Sequence, residues 1–354
     1  MTMKVIPPIA ITDAMLTSST VPEAVAATYS GATTYALGAI VGLAPVQGDP
    51  QVQWRSLQNS NTGNALTEGA WWTGIGSVYP AYDVGTAYIT GDYVQDNTNH
   101  LIYLAASNST GAALTDTTKW TNSGPTNRWK MFDLLRSTAT VCPNELTVVI
   151  TPGQRTNSFA FSGLLAGSYT LTVTSASYGG TIYSSTGTIT TRNTSTWYEY
   201  FFGEFTYKNS IAFFDIPPYS DAVYTLVLTG TTTIQLGAFV VGAYIDLGKS
   251  QYSATSDALN FSSIERDADT GESTVTQRRS IPKTTQQVTC EKNKLARVKQ
   301  ARTDLNGEVA FWFGIDDTAD AYFDPLTILG IYKQWQINID LPEQVTQQIE
   351  IEEV

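Results

Sequence analysis

The chain repeats itself, and that constrains its fold more than any other feature. Tyr35-Ala-Leu-Gly38-Ala-Ile-Val41, Trp54-Arg-Ser-Leu57, Asn61-Thr-Gly63-Asn-Ala-Leu66-Thr67 and Trp71-Trp72 return as a second set. That set is Tyr88-Ile-Thr-Gly91-Asp-Tyr-Val94, Ile102-Tyr103-Leu104-Ala105, Ser109-Thr-Gly111-Ala-Ala-Leu114-Thr115 and Trp120. Gly38 maps onto Gly91 at an offset of 53 and Gly63 onto Gly111 at 48, so the first copy carries a loop five residues longer. A repeat of this kind specifies two modules of one type in tandem, residues 30–78 and 79–123. Each has only about 45 residues, too few to build a core without large side chains, which accounts for the tryptophans and tyrosines.

Around the repeat, a chain of 354 residues exceeds the size at which one core stops growing, so two to four domains are expected. Only 15% of residues are charged, and Thr, Ser, Gly, Ala, Tyr and Val recur in short alternating runs, the composition of strands and tight turns. The fold class expected is mainly β. Residues 1–29 carry Pro7-Pro8 and Pro22 and cannot form a continuous helix; they read as an extended arm that docks on its own chain or, the favoured reading, on another subunit. Residues 124–130 read as a linker. Residues 131–250 read as a central, jelly-roll-like β-sandwich. There Ser168-Tyr-Thr-Leu-Thr-Val-Thr174 alternates with period two, Tyr178-Gly179-Gly180-Thr181 marks one hairpin, and Ala222 to Thr229 followed by Thr233 to Val241 marks a second. Residues 251–354 read as a small sheet with one helix packed on it, the helix at 291–305 with Leu295, Val298, Arg302 and Leu305 on one face and Asn306-Gly307 as its stop.

Net charge is −12, with an isoelectric point near 4.5, which argues against nucleic acid or an anionic membrane as partner, because both need a basic face. No apolar run reaches the roughly 18–20 residues of a membrane span, so no membrane insertion is expected. Cys142 and Cys290 stand 148 residues apart with no second Cys or His nearby and read as buried free thiols. Charge is segregated near the C-terminus. Residues 278–302 hold eight Lys/Arg and one Glu, whereas residues 303–354 hold eleven Asp/Glu and one Lys. Such asymmetry reads either as two solvated faces or as complementary pairing between neighbouring copies.

The repeated pattern resembles carbohydrate-binding modules of the chitin-binding 5/12 type, which pair a Tyr-x-x-Gly-(Asp)-x-Val strand with an aromatic-rich second strand and a closing Trp. The second copy is the better match through Tyr88, Gly91, Asp92, Val94, Tyr103 and Trp120, while the first has Ala39 in place of the Asp and Trp54 in the aromatic strand. The likeness implies sugar binding by exposed ring faces, with Trp54, Trp71, Trp72, Tyr93, Tyr103 and Trp120 as candidates. The alternative is that these rings are the cores of the modules. With Lys4 to Thr12, Asn127-Arg-Trp-Lys-Met-Phe-Asp133 and the stretch from Phe313 to Tyr332, the whole chain looks like tail proteins of bacteriophages that carry such modules. The resemblance implies a structural place in a tail tip, baseplate or fibre-attachment region, in a virion assembled in a bacterial cytoplasm. A trimer or hexamer docking other tail proteins is the expected assembly, and binding of a host surface glycan is the alternative.

Catalysis is not expected, and neither are a cofactor or a metal. His100, the sole histidine, falls in a polar turn, and a loop histidine is structural far more often than catalytic. Asp316, Asp317, Asp320 and Asp324 read as a surface loop rather than an acid/base pair, since glycoside hydrolysis needs a defined separation and a raised pKa on one member. Asp267-Ala-Asp269-Thr-Gly271-Glu272 reads as a hairpin turn, lacking the ligand spacing of a calcium loop. Asn108-Ser-Thr and Asn193-Thr-Ser match the glycosylation acceptor pattern, which a protein made in bacteria would leave bare.

Overall fold

A computed structural model of the chain describes residues 1–192, 196–267, 269–339 and 341–354. The alternation legible in Ser168–Ser175 turns Leu171 and Val173 to one face of a five-stranded sheet, beside Tyr224, Leu226 and Leu228. Its strands lie in the order Gly180–Thr188, Ser168–Ser175, Ala222–Leu236, Thr140–Ile150 and Leu16–Ser19, each antiparallel to its neighbour. Opposite it lies a three-stranded sheet of Ser210–Phe213, Ser158–Ser162 and Ala238–Gly242, which sends Phe159, Phe161, Phe213 and Phe239 into the same core. These two sheets form the central sandwich.

The smaller sheet is buried on both faces. Phe159 and Phe161 point into the sandwich, while Ala160, Ala212, Ala238 and Val240 point the other way, onto Ile6, Phe311, Phe313 and Leu329 of a third sheet. That third sheet has seven strands, in the order Ile245–Ser250, Thr2–Ile6, Ala310–Phe313, Thr327–Asn338, Gln344–Glu353, Ser280–Glu291 and Thr255–Asn260. The first strand also pairs with the sixth through Lys249↔Thr289 and Ser250↔Val288, so six strands close on themselves and Thr255–Asn260 is left outside as an extra edge. Period-two alternation divides the strand at Ala310–Phe313 between two cores: Ala310 and Trp312 face the interior with Met3 and Val5, and Phe311 and Phe313 face the sandwich. Two α-helices are present among the described residues, α1 at Trp197–Phe202 and α2 at Leu295–Asp304. The second packs Val298, Ala301 and Leu305 into the interior of the closed sheet.

Two expectations are corrected. Residues 1–29 are not an arm on another subunit, because Thr2–Ile6 is inserted between Ile245–Ser250 and Ala310–Phe313 and Leu16–Ser19 pairs with Thr140–Ile150. The apolar residues Val5 and Ile6 are fully buried there, which supplies the cover that an exposed segment would have lacked. Second, the expected hairpin at 222–241 does not turn at Gly230. Ala222–Leu236 is one strand, paired with Thr140–Ile150 along both halves and bulged only opposite Asn144, whose φ is 59°. The chain changes sheet at Gly237 instead, where Gly163 approaches so closely that a Cβ on it would stand 2.8 Å from the Gly237 Cα. Within the segregated charge, Lys283 pairs with Glu350 across adjacent strands, and Arg279, just before the strand Ser280–Glu291, pairs with Glu353.

Candidate functional site

The two modules repeat in three dimensions. Each holds a three-stranded sheet, Ile40–Gly42, Gln51–Ser56 and Trp72–Val78 in the first and Tyr93–Asp96, Leu101–Ala105 and Trp120–Pro125 in the second. The closing tryptophans sit at the same point in both. Trp72 meets Tyr29 and Tyr35 edge-on at 5.8 and 5.3 Å, and Trp120 meets Tyr82 and Tyr88 at 5.7 and 5.2 Å. Each indole donates to an equivalent carbonyl, Asn64 at 3.0 Å and Ala112 at 3.2 Å, and Tyr29 and Tyr82 donate to the same two oxygens. The motif glycines turn at positive φ, 83° at Gly38 and 100° at Gly91, which explains why this position repeats as glycine.

This geometry withdraws two of the six sugar candidates. Trp72 and Trp120 are fully buried in aromatic clusters and have no free face. Trp71 is 36% exposed, and Trp54, Tyr93 and Tyr103 are half-buried. They do not gather into one platform: Tyr93 packs on Tyr79 at 5.1 Å, Tyr103 packs against the cluster of Tyr88, Val94, Ala105 and Trp120, and Trp54 and Trp71 pair with no other aromatic ring among the described residues. Asp92, the carboxylate that distinguishes the second copy, is a fastener. Its Oδ2 accepts the Ile89 amide at 3.0 Å and the Gln47 side-chain amide of the first module at 2.9 Å, so it closes its own turn and locks the modules together.

His100 is wired into a junction that the sequence did not disclose. Its Nε2 lies 2.9 Å from Asp13 and its Nδ1 3.1 Å from Glu23, and its ring stacks on Trp129 at 4.2 Å. Glu23 also accepts from the Thr126 hydroxyl, at 2.8 and 3.0 Å, and stands 4.0 Å from Arg128. Burial pushes the Glu23 carboxyl above its usual range, against the pull of His100, Thr126 and Arg128. Both imidazole nitrogens are engaged by carboxylates, which leaves neither for a nucleophile. The cluster pins residues 13–23, the second module and the linker at one point.

The acidic residues near 320 each have work within the fold. Asp316 accepts the Thr2 amide and hydroxyl at 2.9 and 2.6 Å, and these bonds hold its carboxyl low despite burial. Asp317 and Asp320 accept the Ala319 and Tyr322 amides of their own loop at 2.9 Å, and Asp324 accepts the Ser210 amide at 3.2 Å. Asp267 likewise caps its turn through the Asp269 and Thr270 amides. Asn108 is bonded to Thr90, while Asn193 lies outside the described residues. Both cysteines are buried and free.

What the chain leaves uncovered is more telling. The aromatic run of α1 exposes Trp197, Tyr198, Phe201 and Phe202 by 62% or more. At the edge of the seven-stranded sheet Thr255–Asn260 pairs with Ser280 to Thr285, and beyond it Ser263–Arg266 pairs with Ser273–Thr276. Together they form one long two-stranded ribbon. Every described residue from Thr255 to Ser280 except Ser262 and Ser263 is exposed. At its root opens a groove of about 590 Å³ lined by Met1, Tyr252, Ile315, Tyr322 and Leu326 among others. Neither surface stands out from the sequence, although Trp197-Tyr-Glu-Tyr-Phe-Phe202 is an aromatic run without alternation and 255–280 is mostly polar with a few scattered apolar residues. No family model, curated protein or solved structure matches the chain.

Proposed function

We propose that the chain is a structural component of a bacteriophage tail, at the tip, baseplate or fibre-attachment region, that assembles with copies of itself and docks neighbouring virion proteins. Its function on this reading is geometric rather than catalytic. The ribbon at 255–280 carries the proposal: an isolated two-stranded hairpin is marginally stable in water, and this one has no core on either face. Its exposed residues are as numerous as one side of a standard protein interface, about 20–30 residues. The resemblance of the whole chain to tail proteins, and the bonds that tie the modules to each other and to Asp13 and Glu23, agree with a building block.

Light scattering on the purified chain tests this, with a second variant in which residues 255–280 are replaced by a short Gly-Ser turn. A trimer or hexamer is expected for the full chain and a folded monomer for the shortened one. A full chain that stays monomeric at micromolar concentration overturns the assembly reading. The alternative, a receptor-binding protein holding a host surface glycan, rests on the partial exposure of Trp71, and glycan affinity lost in Trp71→Ala is the result that favours it.

A further inference from the structure

We infer that the ribbon of one copy seats in the groove at the root of the ribbon of the next copy, so that subunits join head to tail. This rests on the assembly reading above and names the contact that makes it. The ribbon is two-faced. Ile264 and Val275 stand directly opposite each other and are 62% and 64% exposed, whereas Ser263, Glu265, Thr274 and Thr276 on the other face are all polar. The groove offers a matching apolar surface in Met1, Tyr252 and Tyr322, each more than 60% exposed, beside the part-buried Leu326.

Charge agrees with this pairing. Arg266 and Arg278 on the ribbon form no ion pair with any described residue. Asp317 and Asp320, in the loop that carries Tyr322, form none either among the described residues, and they would receive the ribbon's guanidinium groups at the rim. The count of exposed ribbon residues also suits one side of a stable dimer contact, about 20–30 residues.

A ribbon cannot fill its own groove. Tyr252 to Ala254 line the groove and lead straight into Thr255, and from there Ile264 is nine residues away, roughly 30 Å along an extended strand. The ladder is stitched across its central gap by Ser262 and Arg278, whose side-chain and main-chain bonds at 2.9 and 3.2 Å oppose folding back. A heterologous contact of this kind closes into a ring when the rotation per subunit divides a full turn.

The test is disulfide trapping in the full chain, pairing Ile264→Cys or Val275→Cys on the ribbon with Tyr252→Cys or Tyr322→Cys in the groove. A disulfide forms only when the two Cα atoms approach to about 4.4–6.8 Å, so linkage reports position. The native thiols do not interfere, because Cys142 and Cys290 are buried. Oxidation with copper–phenanthroline is expected to link at least one pair into species of two or more chains, with no linkage in the single variants. Oligomers in which none of the four pairs links overturn the groove as the seat while leaving self-assembly standing. Linkage of Ile264→Cys alone places two ribbons side by side and also overturns it. Monomers by light scattering remove the assembly reading itself.

Discussion

Asp221 shows how much a single carboxylate does at a turn of the sandwich. Its Oδ2 accepts the Ser177 amide at 2.7 Å and its Oδ1 the Ser175 hydroxyl at 2.8 Å, and these bonds draw its carboxyl down to about 2 from an ordinary 3.8. A folded pKa below the unfolded one means stability that is present above pH 3.8 and lost as pH falls through about 2. The melting temperature of the parent is therefore expected to fall between pH 4 and pH 2 more steeply than that of Asp221→Asn, which melts lower at pH 7; thermal scans across that range decide it, and parallel profiles would remove Asp221 as a contributor. At this scale the sequence discloses residue types but not their employment. A tryptophan serving as a module core and one serving as a sugar platform are the same residue, and only the Tyr29-Tyr35 and Tyr82-Tyr88 pairs around Trp72 and Trp120 separate the two uses. Asp92 is a similar case. Its place in the motif is visible in the sequence, yet its bond to Gln47 in the other module is not, since no local pattern fixes how two modules dock.

Among elements, the modules owe their stability to these small aromatic clusters. Replacing a fully buried tryptophan by alanine costs about 3–5 kcal/mol through lost burial and the cavity left behind. Trp120→Ala is expected to lose stability on that scale and Trp71→Ala about 1 kcal/mol or less, because the latter ring is already part-exposed. Urea denaturation of the two variants compares them directly, and equal losses would deny the distinction between core and surface. Elements with clean alternation are legible: Ser168–Ser175 and Gln344–Glu353 lie where their patterns put them, while α2 begins at Leu295 rather than at the expected Glu291, which still ends a strand. The strand Ala222–Leu236 departs from expectation because Gly230 carries the ordinary mark of a turn, whereas a partner strand running past it absorbs the irregularity as a bulge. The helix α1 escapes notice for the opposite reason. Its capping box, Thr196 with Glu199, is a local signal of helix start, but rings on all sides give no apolar face to detect.

At the scale of the molecule, the first residues hold the last domain together. Thr2–Ile6 supplies Met3 and Val5 to the interior of the closed sheet and Ile6 to the interface with the sandwich, while Lys4 lies over the Phe214 and Tyr244 rings at 4.3 and 4.6 Å. Deleting residues 1–6 opens a six-strand ring and bares two cores, so the truncated chain is expected to aggregate or lose its near-ultraviolet circular dichroism, whereas removal of 255–280 leaves both intact. A truncated chain that stays native and soluble would contradict this placement of the N-terminus. Local pattern dictates the mainly β character, the tandem modules, the strand periodicity and the helix at the C-terminal end, because each arises from alternation, repeat spacing or turn residues within a few positions. Long-range packing assigns the N-terminal segment to the C-terminal sheet, shares the middle sheet between two cores, and leaves an exposed ribbon clear of the body. Those outcomes depend on contacts between residues hundreds of positions apart, as between Val5 and Trp312, and the energy of such contacts leaves no mark on local sequence.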